Sequence, residues 1–442
     1  MARPLAGVVV LLVSVVVCVV NARVTAEFYS RMRELLRQRS TANKGSVPIP
    51  IEVRGWPHVA LPLNVGQVAG ISVDLKNRPV IFHRGPVVWD QGSFNGHNEY
   101  LHVDDGPIQE DTVLTLDPDS GAVVHAWGAG HFFMPHGLTV DPEGQVWLTD
   151  VAMHQVFRYP PEGANVATLT LGRRFEPGRD SAHFCQPTSV AVAPGTSAQH
   201  AGDIFVGDGY CNARVVHLTP SGRFVREIKA RDEGIWPGFN VVHSVALLSG
   251  PELLCVADRD NRRVACATIE MTRGASWHRH HVEWKLPHFR SRTSAAGSAT
   301  GAEDPLHPVI EVMAPGGGRV FALCSAPDND TLYAVTGPSE PTALEPHPIA
   351  PTGIVIRPSA TYIDTYWGPS SQDSFSAPHA IAISPDGDSL YVSEIGPDRV
   401  WKFSLNRRNV TEEPHQDQGR QRHQHEGQQE QEMMTQQHHQ SS

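Results

Sequence analysis

The chain has 442 residues, of which 40% are hydrophobic and 19% charged, with 38 glycines, 35 prolines and a formal net charge of −11. This suits a globular protein rich in strands and turns, and the absence of a basic footprint excludes nucleic acid as a partner. Length alone would allow two or three domains, but a repeat architecture grows as one body, and repeats are what the chain shows.

The N-terminus carries Arg3, an apolar run from Leu5 to Val20, and then Val24-Thr25-Ala26. These are the three parts of a secretory signal, expected over residues 1–26 with cleavage near Ala22 or Ala26. An uncleaved anchor is the rival reading. The run is short of the ~20 apolar residues that span a bilayer, so no stable membrane span is expected. Residues 27–60 read as an N-terminal leader.

Six similar units follow over 61–405, opening near Gly66, at Pro135, at Gln186, at Val242, near Gly318 and at Pro378. Their offsets of about 50 to 75 residues begin near the length of a propeller blade and exceed it where insertions fall. Within each unit, short alternating strands are separated by turn sequences, as at Asp141–Gly144, Pro220–Gly222 and Pro385–Gly387. Amphipathic helices are missing between the strands, which excludes a doubly wound α/β fold. The expectation is all-β: a six-bladed β-propeller whose first strands line a central channel and whose radial repetition hides the sheet edges. The fifth unit has the weakest opening signature. Residues 273–307 read as a loop inserted between blades four and five, and 406–442, rich in Gln, Glu and His, as a disordered tail.

Cysteine usage fits an oxidising compartment. Cys18 lies in the signal. Cys255 and Cys266 sit on the arms of one expected hairpin, and closing that loop contributes on the order of 3 kcal/mol. Cys185 and Cys211 flank the preceding unit and form the natural second pair, leaving Cys324 as a buried thiol in a strand. Asn329 and Asn409 head Asn-x-Thr triplets and are candidate glycosylation sites.

Three units share one further feature. His136, His243 and His379 each occupy the second position of a unit's first strand, in Pro135-His136-Gly137, Val242-His243-Ser244 and Pro378-His379-Ala380. They fall on blades two, four and six, and equivalent positions on alternate blades converge with trigonal geometry. Three imidazoles with one position open describe a catalytic zinc site rather than a closed structural one. The His groups at 278–281 and 423–439 lie in the insertion and the tail and read as solvated.

With these residues in hand, the chain resembles the peptidyl-α-hydroxyglycine α-amidating lyase family. The matching segments are Ile81–Gly85, Met134–Asp141, Thr149–Phe157, His183–Thr188, Asp208–Asn212 and Cys255–Arg259, spread over successive blades. The resemblance implies a six-bladed propeller of NHL-type repeats. It implies a zinc-dependent enzyme that cleaves the N–C bond of a peptidyl-α-hydroxyglycine to peptide amide and glyoxylate, the second step of C-terminal amidation. Tyr210 matches the catalytic base, and Arg84 and Arg259 match the two active-site arginines. A phenol acting as base near neutral pH needs positive charge beside it, and Arg is suited to a two-pronged grip on a carboxylate. The disulfide from Cys211 would hold the adjacent Tyr210.

The family also carries a structural calcium, whose backbone ligands would be Ile71 and Leu138 here. The family's acid after the third His is replaced by Ala380, which puts calcium in doubt, and a Met facing the site is replaced by Ala377. The companion copper monooxygenase half is not in this sequence, so hydroxyglycine-extended peptides are expected from a separate enzyme. The implied protein is a monomer in the secretory granule lumen or outside the cell. The alternative is a catalytically impaired propeller that binds peptides. A calcium-dependent ester or lactone hydrolase fits less well, because such sites favour oxygen ligands.

Overall fold

The computed structural model describes residues 47–197, 200–230, 238–248, 252–269, 310–313, 318–339, 348–358, 362–370 and 373–406. The signal, residues 27–46 of the leader, the insertion 273–307, the tail beyond 406 and Asn409 lie outside the described residues.

The described residues form six four-stranded antiparallel sheets. Five of them take their strands in chain order. The innermost strands are Val68–Val73, Pro135–Val140, Pro187–Val192, Val242–Leu248, Val320–Ser325 and Pro378–Ile383, and each touches the next around the ring, the last touching the first. Second strands, such as Val146–Asp150, Ile204–Asp208 and Leu253–Asp258, are buried along their whole length. They read as unbroken apolar runs because blades pack face to face and cover both sides of the middle strands. The outermost strand of blade one, Val123–Trp127, is partly exposed throughout. Cores therefore lie between blades: Phe82, Phe132, Leu148 and Phe157 fill the gap between blades one and two, and Tyr333, Val355, Trp401 and Phe403 that between five and six. This is a closed six-bladed β-propeller, as the repeats predict.

Two boundaries differ from the sequence reading. Ile51–Glu52, inside the segment read as a leader, is the outermost strand of blade six and pairs with Val400–Ser404. A two-residue strand has no periodicity by which to announce itself. The insertion falls inside blade four, between its third strand Arg263–Thr268 and its fourth, Ile310–Met313, rather than between blades four and five. Blade five, weakest in sequence, is complete, with strands Val320–Ser325, Leu332–Thr336, Gly353–Arg357 and Tyr362–Trp367.

Both disulfides join the expected cysteines. Cys185–Cys211 ties the entry of blade three to its second turn, and Cys255–Cys266 links directly opposed residues of two neighbouring strands. Cys324 forms no disulfide. Among the described residues no helix is long and apolar enough to cross a membrane.

Candidate metal centre and catalytic mouth

In all six blades the pairing of first and second strands slips in register just after the first residue of the inner strand. Such a bulge re-aims the side chain it carries, and the residue at the slip is Ala69, His136, Thr188, His243, Phe321 or His379 around the ring. The three histidines are buried, and their ring centroids lie 4.7 to 4.9 Å apart.

Each of these imidazoles is oriented by the blade that follows it. Nδ1–H of His136 donates to the Thr188 carbonyl at 2.8 Å, that of His243 to Phe321 at 2.7 Å, and that of His379 to Ala69 at 2.6 Å. A ring that donates from Nδ1 keeps the Nε2 lone pair for another partner. The odd blades thus supply three carbonyls and the even blades three Nε2 lone pairs, and the candidate ligand atoms all lie within 4.8 Å of one another. Burial holds all three pKa values below the ordinary value, that of His379 down to about 3; neighbouring imidazoles add to the effect at His136 and His243, Arg259 at all three, and Arg84 at His136 and His379. Neutral imidazoles presenting lone pairs fit a borderline divalent metal such as zinc.

Tyr210 reaches the same point. Its hydroxyl lies 3.0 Å from Nε2 of both His136 and His243, and Nη1 of Arg259 donates to it at 3.5 Å. The loop that carries Tyr210 is fixed from several sides. Asp208, fully buried at the end of the second strand, accepts from the Cys185 amide, Asn212 Nδ2 and Arg214 Nε. The Cys185–Cys211 bridge closes the other side. Gly209 passes so close to Val242 that a Cβ would lie 1.9 Å from its carbonyl oxygen, so only glycine fits. Burial raises the Tyr210 pKa, while Arg259 and then Arg84 oppose it.

The two arginines occupy equivalent positions. In blades one, two, four, five and six, the residue after the second strand donates its amide to the carbonyl just before the inner strand. These pairs are Arg84 to Gln67, Val151 to Met134, Arg259 to Val241, Gly337 to Arg319 and Ile395 to Ala377. Blades one and four face each other across the ring, so Arg84 and Arg259 flank the histidines from opposite sides. Arg84 is 2% exposed, donates Nε to the Pro135 carbonyl and Nη1 to Gln67 Oε1, and burial brings its pKa down to about 10. Arg259 donates Nε to Asp260.

Sequence reasoning missed Gln67, Asp260, Phe321 and Trp89. Phe321 stands in register with the histidines on blade five and lies 5.0 Å from the His243 ring. Trp89 lies 4.6 Å from the Tyr210 ring. Its only sequence signal is the long segment, rich in aromatics, between the second and third strands of blade one.

Ile71 and Leu138 hold equivalent places one turn deeper in the channel. They line a cavity of about 70 Å³ beneath the histidines, together with Thr139, Ser189, Ser244 and Ala380. No carboxylate is among those lining residues, so the donors available to a hard cation there are carbonyls and hydroxyls alone. That is a poor fit to calcium. Asn329 lies at the far mouth of the channel, in a turn beside Pro327.

Residues 132–159 match the family model of the NHL repeat. The chain is 36% identical over 379 residues to peptidyl-alpha-hydroxyglycine alpha-amidating lyase 2 of Drosophila melanogaster, a match covering 84% of this chain and 80% of that protein. It is 33% identical over 344 residues to the probable peptidyl-alpha-hydroxyglycine alpha-amidating lyase of Caenorhabditis elegans, covering 77% of this chain and 83% of that one. Peptidylglycine alpha-amidating monooxygenase of Rattus norvegicus is 38% identical over 355 residues, but there 79% of this chain matches 31% of the relative. Likeness at this level, along nearly the whole propeller, shows that the chain belongs to the peptidyl-α-hydroxyglycine α-amidating lyase family.

Proposed function

We propose that this lyase cleaves peptidyl-α-hydroxyglycines to peptide amide and glyoxylate, with a zinc ion held by His136, His243 and His379. The observation that carries this reading is the meeting of three oriented Nε2 lone pairs with the Tyr210 hydroxyl between two guanidinium groups, Arg84 buried and Arg259 partly so. Bound there, zinc would supply a Lewis acid for the carbinol oxygen and the positive charge that draws the phenol toward ionisation.

Ionised to the phenolate, Tyr210 takes the carbinol O–H proton and becomes the phenol. The freed electron pair closes the C=O of glyoxylate, the C–N bond breaks, and its pair goes to the amide nitrogen. The same phenol returns its proton to that nitrogen, so one residue serves both halves. Arg84 and Arg259 hold the carboxylate of the hydroxyglycine, Arg84 with the Nη2 hydrogens its two bonds leave over. No step runs through calcium. Ala377 keeps the backbone bonds that place His379: its amide is held by Glu394 and its carbonyl by Ile395, so the missing Met alters the wall and not the scaffold. The substrate is the product of a peptidylglycine monooxygenase reaction, and the two disulfides support an oxidising, secretory setting.

Elemental analysis of purified protein is expected to find about one zinc per chain, and a short α-hydroxyglycyl peptide is expected to yield glyoxylate. His136→Ala should remove both. Full turnover by metal-stripped protein would overturn the reading.

A further inference from the structure

The longest of the six connections between second and third strands is residues 84–112 of blade one, which begins at Arg84 and runs over the catalytic mouth. We propose that Trp89, at its start, is a positioning residue for Tyr210. The inference rests on the reading of Tyr210 as the proton-transfer group.

The Trp89 ring lies 4.6 Å from that of Tyr210, tilted by 54°, and 6.2 Å from that of His136, nearly edge-on. Arg84 places its guanidinium carbon 5.4 Å from the indole, and Arg259 places its own 5.2 Å from the phenol ring. Guanidinium, indole, phenol and guanidinium therefore form a continuous stack across the mouth. The phenol oxygen accepts from Arg259 Nη1 and stands 3.0 Å from Nε2 of His136 and His243, at the point where those lone pairs meet. These contacts set where the oxygen sits and leave the tilt of the ring about that point free. The indole lies against the ring itself and removes that freedom.

Trp89 can do this because it is itself braced. Its ring packs 5.4 Å from Phe94, which lies 5.6 Å from Tyr100 and 6.3 Å from His154. Phe94 and Tyr100 are bridged as opposed strand residues, and the turn between Trp89 and Phe94 is held by Asp90, which accepts from the Gly92 amide and the Ser93 hydroxyl. The segment from 89 to 100 is a folded roof with its own hydrogen bonds, and it holds the indole as a fixed wall.

A positioning residue should act on the chemical step through Tyr210 and leave binding alone. Trp89→Leu is expected to lower kcat on the order of 10- to 100-fold while KM stays within about twofold, and Trp89→Phe, which restores a ring, should recover most of the loss. The dissociation constant of an inert peptidyl-glycine lacking the hydroxyl should not move, nor should zinc content. Trp89→Met, of similar bulk without a ring, carries the same test should the Leu variant fold poorly. In a Tyr210→Phe background, either change should cost little. A rise in KM alone, failure of Phe to rescue, or the same fold-loss in both backgrounds would overturn the proposal. Full turnover by Tyr210→Phe alone would instead sink the reading beneath it, so the two failures are distinguishable.

Discussion

A buried imidazole is a poor base and a good ligand for one reason: burial penalises its protonated form. All three channel histidines are in this condition, with His379 held at about 3. In metal-free protein this makes stability depend on pH. Between the ordinary value near 6.5 and the folded value, the unfolded chain binds a proton that the folded ring does not, so stability rises with pH there. For His379 the contribution is complete above about 6.5 and is lost as pH falls toward about 3, and the other two rings act in the same direction. Denaturant midpoints of metal-free protein should fall from pH 7 to pH 5, and His379→Asn should make that slope shallower. An unchanged slope in the variant would mean that His379 is not held neutral by the fold.

At the scale of strands and loops, an acid at the end of the second strand pins the loop that leads into the first. Asp150 accepts from the Phe133 and Met134 amides, Asp208 from Cys185, Asp258 from Asn240, and Glu394 from Ser376 and Ala377. In blade three the Cys185–Cys211 bridge adds a covalent tie next to Tyr210. Replacing both cysteines by alanine should cost about 3 to 4 kcal/mol and lower kcat as well, because the phenol loses its anchor. Replacing Cys255 and Cys266 should cost about 3 kcal/mol with much less effect on kcat, since that bridge lies within a paired ladder. Chemical denaturation with steady-state kinetics separates the two; equal kcat losses would deny Cys185–Cys211 its local role.

The same elements show what sequence can convey. The phase of the three histidines was legible because they share one slot in a repeat, and turn chemistry marked the blades. The acid ending the second strand was visible, but its role as a pin was not, because its partners are backbone amides, which every sequence has. The bulge that turns each side chain inward also leaves no compositional trace. Trp89 was hidden because an irregular connection has no period against which one residue stands out.

A closed ring has a seam, and here the N-terminal segment makes it, completing blade six and touching blades five and one on either side. Ile51–Glu52 pairs with Ser404 and Phe403, the Tyr333 hydroxyl donates to the Pro48 carbonyl, and Trp56 donates Nε1 to the Pro118 carbonyl while packing 5.5 Å from the Tyr391 ring. Blades of this kind bury their faces only against neighbours, so loosening the seam should weaken the whole ring. It should also weaken the metal site, because His379 on blade six is oriented by the Ala69 carbonyl on blade one. The boundary between blades one and two is crossed by the Arg84–Pro135 and Val140–Ser72 bonds, but among the described residues by none that orients a histidine ring; His136 looks to blade three and His243 to blade five. Trp56→Ala, in the core shared by blades six and one, should cost about 3 to 5 kcal/mol and release zinc more readily in a chelator titration. Trp127→Ala, partly buried against the core of blades one and two, should also cost stability while leaving zinc retention nearly unchanged. Equal zinc loss in the two variants would show that the site senses global stability, and that the carbonyl across the seam has no separate part in holding it.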